Sequence, residues 1–236
     1  MLSADDKVRR TRLTERLRSL RERTHLLELE LYDYTSQYFR VCIFGSARIG
    51  PEDEIYEKTQ RLACLLGECG IDVLTGGGPG LMEAANRGHV EGKRHSGAKS
   101  RSIGLPINLG QLEQPNDHLD IKHHHRRFSS RLDDFMRLSN VVVVMPGGIG
   151  TLLELFFSWQ LLQVGHTAER PVLLVGRSFW SGLIDWVKTQ QVDRGLISSG
   201  DLAWIKIVDT PEEVMETVMP EHKNFTQRFH SNGHKA

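Results

Sequence analysis

Apolar positions along this chain follow two periods. Short, nearly continuous apolar runs alternate with longer segments in which apolar residues recur every three or four positions. The runs Val41-Cys-Ile-Phe44, Ile71-Asp-Val-Leu-Thr75, Ser102-Ile-Gly-Leu-Pro106, Val141-Val-Val-Val-Met145, Pro171-Val-Leu-Leu-Val175 and Trp204-Ile-Lys-Ile-Val208 predict strands. The all-apolar run at 141–145 is of the type buried on both faces of a sheet. Between the runs, helical spacing predicts helices over 52–69, over 81–92 with Gly92 closing it, over 123–138, from Thr151 to about Val164, and over 178–191. A last helix is expected after Asp209, with Thr210 as its N-cap and Pro211 at its first position. Residues from Asn108 to about Lys122 are expected to form a long loop.

Strand and helix in alternation predict an α/β fold, a Rossmann-like doubly wound parallel sheet with helices on both faces. Ahead of it, Leu13, Leu17, Leu20, Leu27 and Leu31 recur at helical spacing among Arg and Glu. They predict an N-terminal helical extension over residues 4–35. The chain thus divides into an amphipathic helix (1–38), a Rossmann-like domain (39–219) and a polar C-terminal tail (220–236) expected to fray after Pro220.

A length of 236 residues suits one such domain plus an extension. Thirty basic residues balance thirty acidic ones, so net charge gives no reason to expect nucleic-acid or membrane binding, and any anion site must be local. Cys42, Cys64 and Cys69 are odd in number and show neither a disulfide framework nor zinc spacing, which suggests reduced thiols. The charged stretch from Asp5 to Arg23 has no signal core, and no apolar run approaches the ~20 residues that span a bilayer. A cytoplasmic protein is expected.

Four candidate elements fall at strand carboxyl ends or in the loops after them: Gly45–Arg48, Gly76–Gly80, the loop around Glu113, and Pro146–Glu154. The strongest is Pro146-Gly-Gly-Ile-Gly-Thr-Leu-Leu-Glu154. Its glycines let backbone approach a ligand, the free N–H groups of the next helix favour an anion, and the Thr151 hydroxyl adds a donor. Glu154, expected in that helix's first turn, either faces the same anion site or only complements the helix dipole. Gly76-Gly-Gly-Pro-Gly-Leu-Met-Glu83 is either a ligand wall or a tight structural turn. It is not a dinucleotide fingerprint, since Leu81 stands where the third Gly belongs, and no Walker A lysine is present. Arg131 and Arg137, six apart on the helix expected over 123–138, project in different directions. Each is an anion clamp or a surface Arg. No metal site is expected at His123-His-His125, because consecutive helical positions point about 100° apart.

Taken together and in order, Gly45-Ser-Ala-Arg48, Thr75-Gly-Gly-Gly-Pro-Gly-Leu-Met-Glu-Ala-Ala-Asn86, Pro146-Gly-Gly-Ile-Gly-Thr-Leu-Leu-Glu154 and Pro171-Val-Leu-Leu-Val-Gly176 resemble the landmarks of the Lonely Guy (LOG) family. The resemblance covers roughly residues 40–215. It implies a Rossmann-like homodimer that needs no cofactor and hydrolyses AMP or a cytokinin riboside 5′-monophosphate to free base and ribose 5-phosphate. It places the catalytic pair on Arg131 and Glu154, and the phosphate loop on Gly147, Gly148, Gly150 and Thr151. Ser46, Gly77, Gly78 and, by order alone, Glu113 become further substrate contacts. Family members often carry the label lysine decarboxylase, for which this sequence shows no pyridoxal-phosphate lysine setting. Leu132 and Leu153 stand where the family usually carries charge, and Ile149 fills a position that is often aromatic. An alternative within the same fold is a non-catalytic nucleotide or pterin-cofactor carrier. Another is a scaffold that recruits partners through its N-terminal helix.

Overall fold

The computed structural model describes residues 9–20, 23, 24, 27, 37–107 and 114–232. It divides into two compact units, 1–38 and 39–236. In the first, residues 9–20 form helix α1, and residues 23, 24 and 27 are also helical; the rest of the helix expected over 4–35 lies outside the described residues.

The second unit is built on seven parallel strands: β1 (Arg40–Phe44), β2 (Asp72–Thr75), β3 (Ser102–Gly104), β4 (Ile121–Lys122), β5 (Val141–Val144), β6 (Val172–Val175) and β7 (Ile205–Val208). The helices between and after them are α2 (Glu54–Glu68), α3 (Leu81–Ser96), α4 (Phe128–Leu138), α5 (Ile149–Gln163), α6 (Arg177–Val187) and α7 (Pro211–Asn232). The strand order is β4-β3-β2-β1-β5-β6-β7. The chain steps outward from β1 in one direction, then returns to its other side at β5 and steps outward again. β1 and β5 therefore flank the switch point, where the following loops diverge and leave a crevice.

Side-chain alternation fills both sheet faces. Val41, Ile43, Val73, Val143 and Leu173 join one core with Leu62, Leu66, Leu81 and Val214. Cys42, Phe44, Leu74, Val142 and Leu174 join the other with Phe135, Leu155, Trp159 and Trp180. Burial on both faces is why these strands read as unbroken apolar runs. No helix among the described residues is long and apolar enough to cross a membrane.

Three expectations need correction. The helix expected to close at Gly92 continues to Ser96, with Gly97 in the left-handed conformation beyond it (φ 71°). Gly92 serves packing instead. A Cβ there would overlap the Cys64 carbonyl oxygen, and one on Gly88 would overlap that of Gln60, so these glycines let α2 and α3 lie backbone against backbone. Gly92→Ala is expected to destabilise the protein by about 1–3 kcal/mol, the usual cost of overpacking, despite alanine's higher helix propensity. Gly182→Ala, in α6 with no neighbour near the added Cβ, is expected to be neutral or stabilising by up to ~1 kcal/mol. Urea unfolding of both variants checks this; a Gly92→Ala protein as stable as the parent would contradict the close crossing.

Second, α4 begins at Phe128, not at residue 123. The His123 and His125 amides donate to the carbonyls of Gly104 (2.9 Å) and Pro106 (2.8 Å), so 121–125 extends along β3 as an edge that the sequence pattern did not reveal. Third, α7 runs through Pro220 to Asn232 in place of a frayed tail. An interior proline costs a helix roughly 3 kcal/mol. Tertiary packing offsets it, since the rings of His222 and Phe225 lie 5.1 and 5.4 Å from Phe39.

Candidate active site

Three turns meet above the switch point. Parallel pairing sets Phe44 beside Val144, so the turns after β1 and β5 start side by side. The Ser46 amide donates to the Pro146 carbonyl (3.2 Å) and the Leu81 amide to the Ser46 carbonyl (2.9 Å), stitching in the turn after β2. Gly80 has φ +69°, and a Cβ there would press on the Ser46 and Ala47 backbone. That crossing is why the second turn ends in glycine.

Between these turns and α4 lies a cleft of about 480 Å³. Ser46, Gly76, Arg131, Gly148, Gly150, Thr151 and Glu154 line it, together with Phe44, Ala47, Arg48, Met82, Ile107, Phe128 and Ile149. Helix α5 opens onto it. Its N-cap is Gly148, no side chain caps it, and its first turn carries no acid. The amides of that turn present partial positive charge to the cleft, the arrangement that receives an anion. Starting at Ile149, two residues earlier than expected, the helix places Glu154 in its second turn. Glu154 therefore stands one turn beyond the free amides and lines the same cleft.

Arg131 reaches the same cleft from α4. Its Nε donates to the Leu105 carbonyl (2.6 Å) and its Nη2 to that of Gly76 (3.3 Å), while its guanidinium carbon lies 5.2 Å from the centre of the Phe135 ring. Its Nη1 is 3.9 Å from Glu154 Oε1, with the two side chains 11% and 14% exposed. A Cβ on Gly76 would overlap Arg131 Nη2; glycine there makes room for the guanidinium. Burial of Cys42 beneath the cleft pushes its thiol well above the usual range, with the Glu154 charge adding to the effect. It is held protonated, which disfavours it as a nucleophile.

Of the other sequence candidates, Gly77, Gly78 and Gly147, expected as substrate contacts, are not among the residues that line the cleft. The carbonyls of Gly77 and Gly78 accept from Asn116 Nδ2 (3.1 and 2.9 Å), and the Gly77 amide donates to Thr75 Oγ1 (3.0 Å). Gly147 lies against Thr151, whose side chain a Cβ at 147 would overlap. Glu113 lies outside the described residues. Arg137 pairs with Asp134 (2.7 Å) and is not part of the cleft lining. Sequence reasoning singled out neither Arg48 nor Phe128. Arg48 belonged to a turn already marked, whereas Phe128 owes its place to a helix start that the pattern misplaced. Neither Leu132 nor Leu153 lines the cleft; Leu132 is buried and Leu153 exposed, so both departures from the family's usual charges fall off its wall.

A doubly wound α/β sheet with an uncapped helix start and an Arg–Glu pair in a cleft at its switch point defines the class: a Rossmann-like α/β protein. The family described as possible lysine decarboxylase matches residues 82–218. The chain belongs to this family, the Lonely Guy (LOG) family. No lysine lines the cleft among the described residues, so the decarboxylase label finds no support at this site. The chain is 28% identical over 204 residues to the cytokinin riboside 5′-monophosphate phosphoribohydrolase LOG2 of Arabidopsis thaliana, covering 82% of this chain and 90% of that one. It is 29% identical over 140 residues to the pyrimidine/purine nucleotide 5′-monophosphate nucleosidase of Escherichia coli K12, covering 58% of this chain and 30% of that one. Among solved structures, it resembles the molybdenum cofactor binding protein of Rippkaea orientalis (TM-score 0.57, 20% identity, 78% of this chain and 96% of that one). It also resembles the molybdenum cofactor carrier protein of Chlamydomonas reinhardtii (TM-score 0.55, 18% identity, 79% and 99%). At such identities these two structures speak to the fold alone.

Proposed function

We propose that this chain is a phosphoribohydrolase that cleaves the N-glycosidic bond of a nucleoside 5′-monophosphate with water, releasing the free base and ribose 5-phosphate. The observation that carries the reading is the Arg131–Glu154 pair set one turn beyond an uncapped helix start in a single cleft. The names of the sequence relatives support the same reaction class.

The 5′-phosphate seats on the amides of residues 148–151, with the Thr151 hydroxyl beside them. From Ile149 to Glu154 the α5 axis rises about 7 Å, and side chains lean back toward the N-terminus. Glu154 then reaches the anomeric carbon of a ribose held by its phosphate. Phosphate binding fixes the sugar, so its binding energy is used to orient the reacting bond. As the C1′–N bond lengthens, positive charge develops on the ring, and the Glu154 carboxylate stabilises it or takes a proton from the attacking water. Arg131 favours departure of the base as electrons move onto it, or helps to hold the phosphate. Phe128, Met82 and Ile107 supply an apolar wall against which a planar base can lie.

Incubation with AMP, a cytokinin riboside monophosphate and the common purine and pyrimidine monophosphates, followed by chromatography, tests the reading. Release of base together with ribose 5-phosphate from at least one of them is expected. Binding of a monophosphate without cleavage would reject it in favour of the carrier alternative.

A further inference from the structure

His123, His125 and Asp134 lie outside the cleft lining and have no part in the chemistry above. Because residues 121–125 extend along β3, His123 and His125 occupy alternate positions and point to one side, with ring centres 5.0 Å apart. The expectation that adjacent histidines diverge applied to a helix, and this segment is not helical. Asp134 reaches the pair from α4. Its Oδ2 is 3.4 Å from His125 Nε2 and 3.8 Å from His123 Nδ1.

The hydrogens leave a gap between these atoms. Ser130 Oγ donates to the Arg127 carbonyl (3.1 Å), so toward His125 Nδ1 (3.3 Å) it acts as acceptor. The Nδ1 atom then carries the N–H, and the neutral ring turns a lone pair outward at Nε2. That Nε2 is buried without a hydrogen-bond partner, in a side chain only 6% exposed. It faces a carboxylate oxygen, which is also only an acceptor. Two acceptors so placed are satisfied either by a second proton on His125 or by a metal cation between them.

The spacing fits a metal ion better than a hydrogen bond. Zinc–nitrogen and zinc–oxygen bonds of about 2.0–2.2 Å at tetrahedral angles put neighbouring ligand atoms roughly 3.3–3.5 Å apart; His125 Nε2 stands at that separation from Asp134 Oδ2 (3.4 Å), and the exposed His123 Nδ1, at 3.8 Å, needs only a small side-chain shift to reach it. The surroundings hold the ligands in place. Ser130 fixes the His125 tautomer, and Arg137 Nε and Nη2 (3.0 and 2.7 Å) occupy Asp134 Oδ1, turning Oδ2 inward. His123 is 52% exposed, which leaves a coordination position for water. We propose that His123 Nδ1, His125 Nε2 and Asp134 Oδ2 bind one divalent transition-metal ion, with Zn²⁺ the best fit. Arg137 shares the carboxylate's charge, so binding is weaker than in an all-cysteine structural site. The ion ties the β3-edge segment to α4, the helix that carries Arg131 and lacks a side-chain N-cap.

The test uses the full-length chain stripped with a chelator, then titrated with ZnCl₂ by calorimetry and followed by thermal unfolding. Wild type is expected to bind one equivalent more than His123→Ala and to gain thermal stability that the variant does not gain. The exposed position of His123 lets that variant fold. A second cluster, Cys64, Glu68 and His95, is separated by Cys64→Ala, in which the equivalent lost in His123→Ala must persist. Co²⁺ in place of Zn²⁺ should give visible d–d bands in Cys64→Ala that vanish in the Cys64→Ala/His123→Ala double variant. Equal stoichiometry and equal Zn²⁺-induced stabilisation in wild type and His123→Ala, or Co²⁺ bands that depend on Cys64 alone, would overturn the proposal.

Discussion

Glu154→Gln is expected to lower the turnover of nucleoside 5′-monophosphates by roughly 10²–10⁴-fold, the range typical of a lost acid–base or charge-stabilising group. The urea midpoint should hardly change. Glutamine keeps the shape and one acceptor oxygen, so the wall of the cleft is preserved. What disappears is the negative charge opposite the ribose, and the ability to accept a proton from water. Ribose 5-phosphate should still bind with near-parental affinity, because in the proposed mode its phosphate is held by the amides of residues 148–151 and not by the carboxylate. The expected signature is a fall in kcat with product affinity retained. A variant that keeps more than a tenth of the parental rate would remove Glu154 from the reaction.

Much of this site was legible in the sequence because turns after parallel strands carry local signals. The glycines of 76–80 and 146–150 stand where backbone crosses backbone or opens a helix, and such constraints depend on neighbours the strand order supplies. The all-valine strand fixed where that helix must begin to within two residues. What stayed hidden depends on contacts remote in sequence. Gly92 reads as a helix stop until α2 is found lying on it. Pro220 reads as a break until Phe39 is found packed against the residues beyond it. The histidines read as helical until the carbonyls of Gly104 and Pro106 are found holding their amides. In each case tertiary packing overrode a local preference worth at most a few kcal/mol.

Arg131→Ala is expected to have two consequences, and separating them is what makes the variant informative. The first is structural. Arg131 donates to the Leu105 and Gly76 carbonyls, which follow β3 and β2. Removing the guanidinium takes those donors from a buried region, at a cost of about 1–3 kcal/mol, so the urea midpoint should fall where that of Glu154→Gln does not. The second is chemical. A cation 3.9 Å from Glu154 is lost, along with the group assigned to the departing base or the phosphate, and turnover should fall at least ~10²-fold, in line with the loss of a preorganised charge. Arg131→Lys restores charge without the planar fork that serves two carbonyls and a third partner together, so it should recover little of either property. Added guanidinium ion discriminates the roles: it can enter the space left in Arg131→Ala and return part of the rate at concentrations well below those that unfold the protein. Partial rescue in Arg131→Ala, with none in Glu154→Gln, is the expected pattern. A folded Arg131→Ala protein with undiminished turnover would leave Arg131 a purely structural brace between α4 and the sheet.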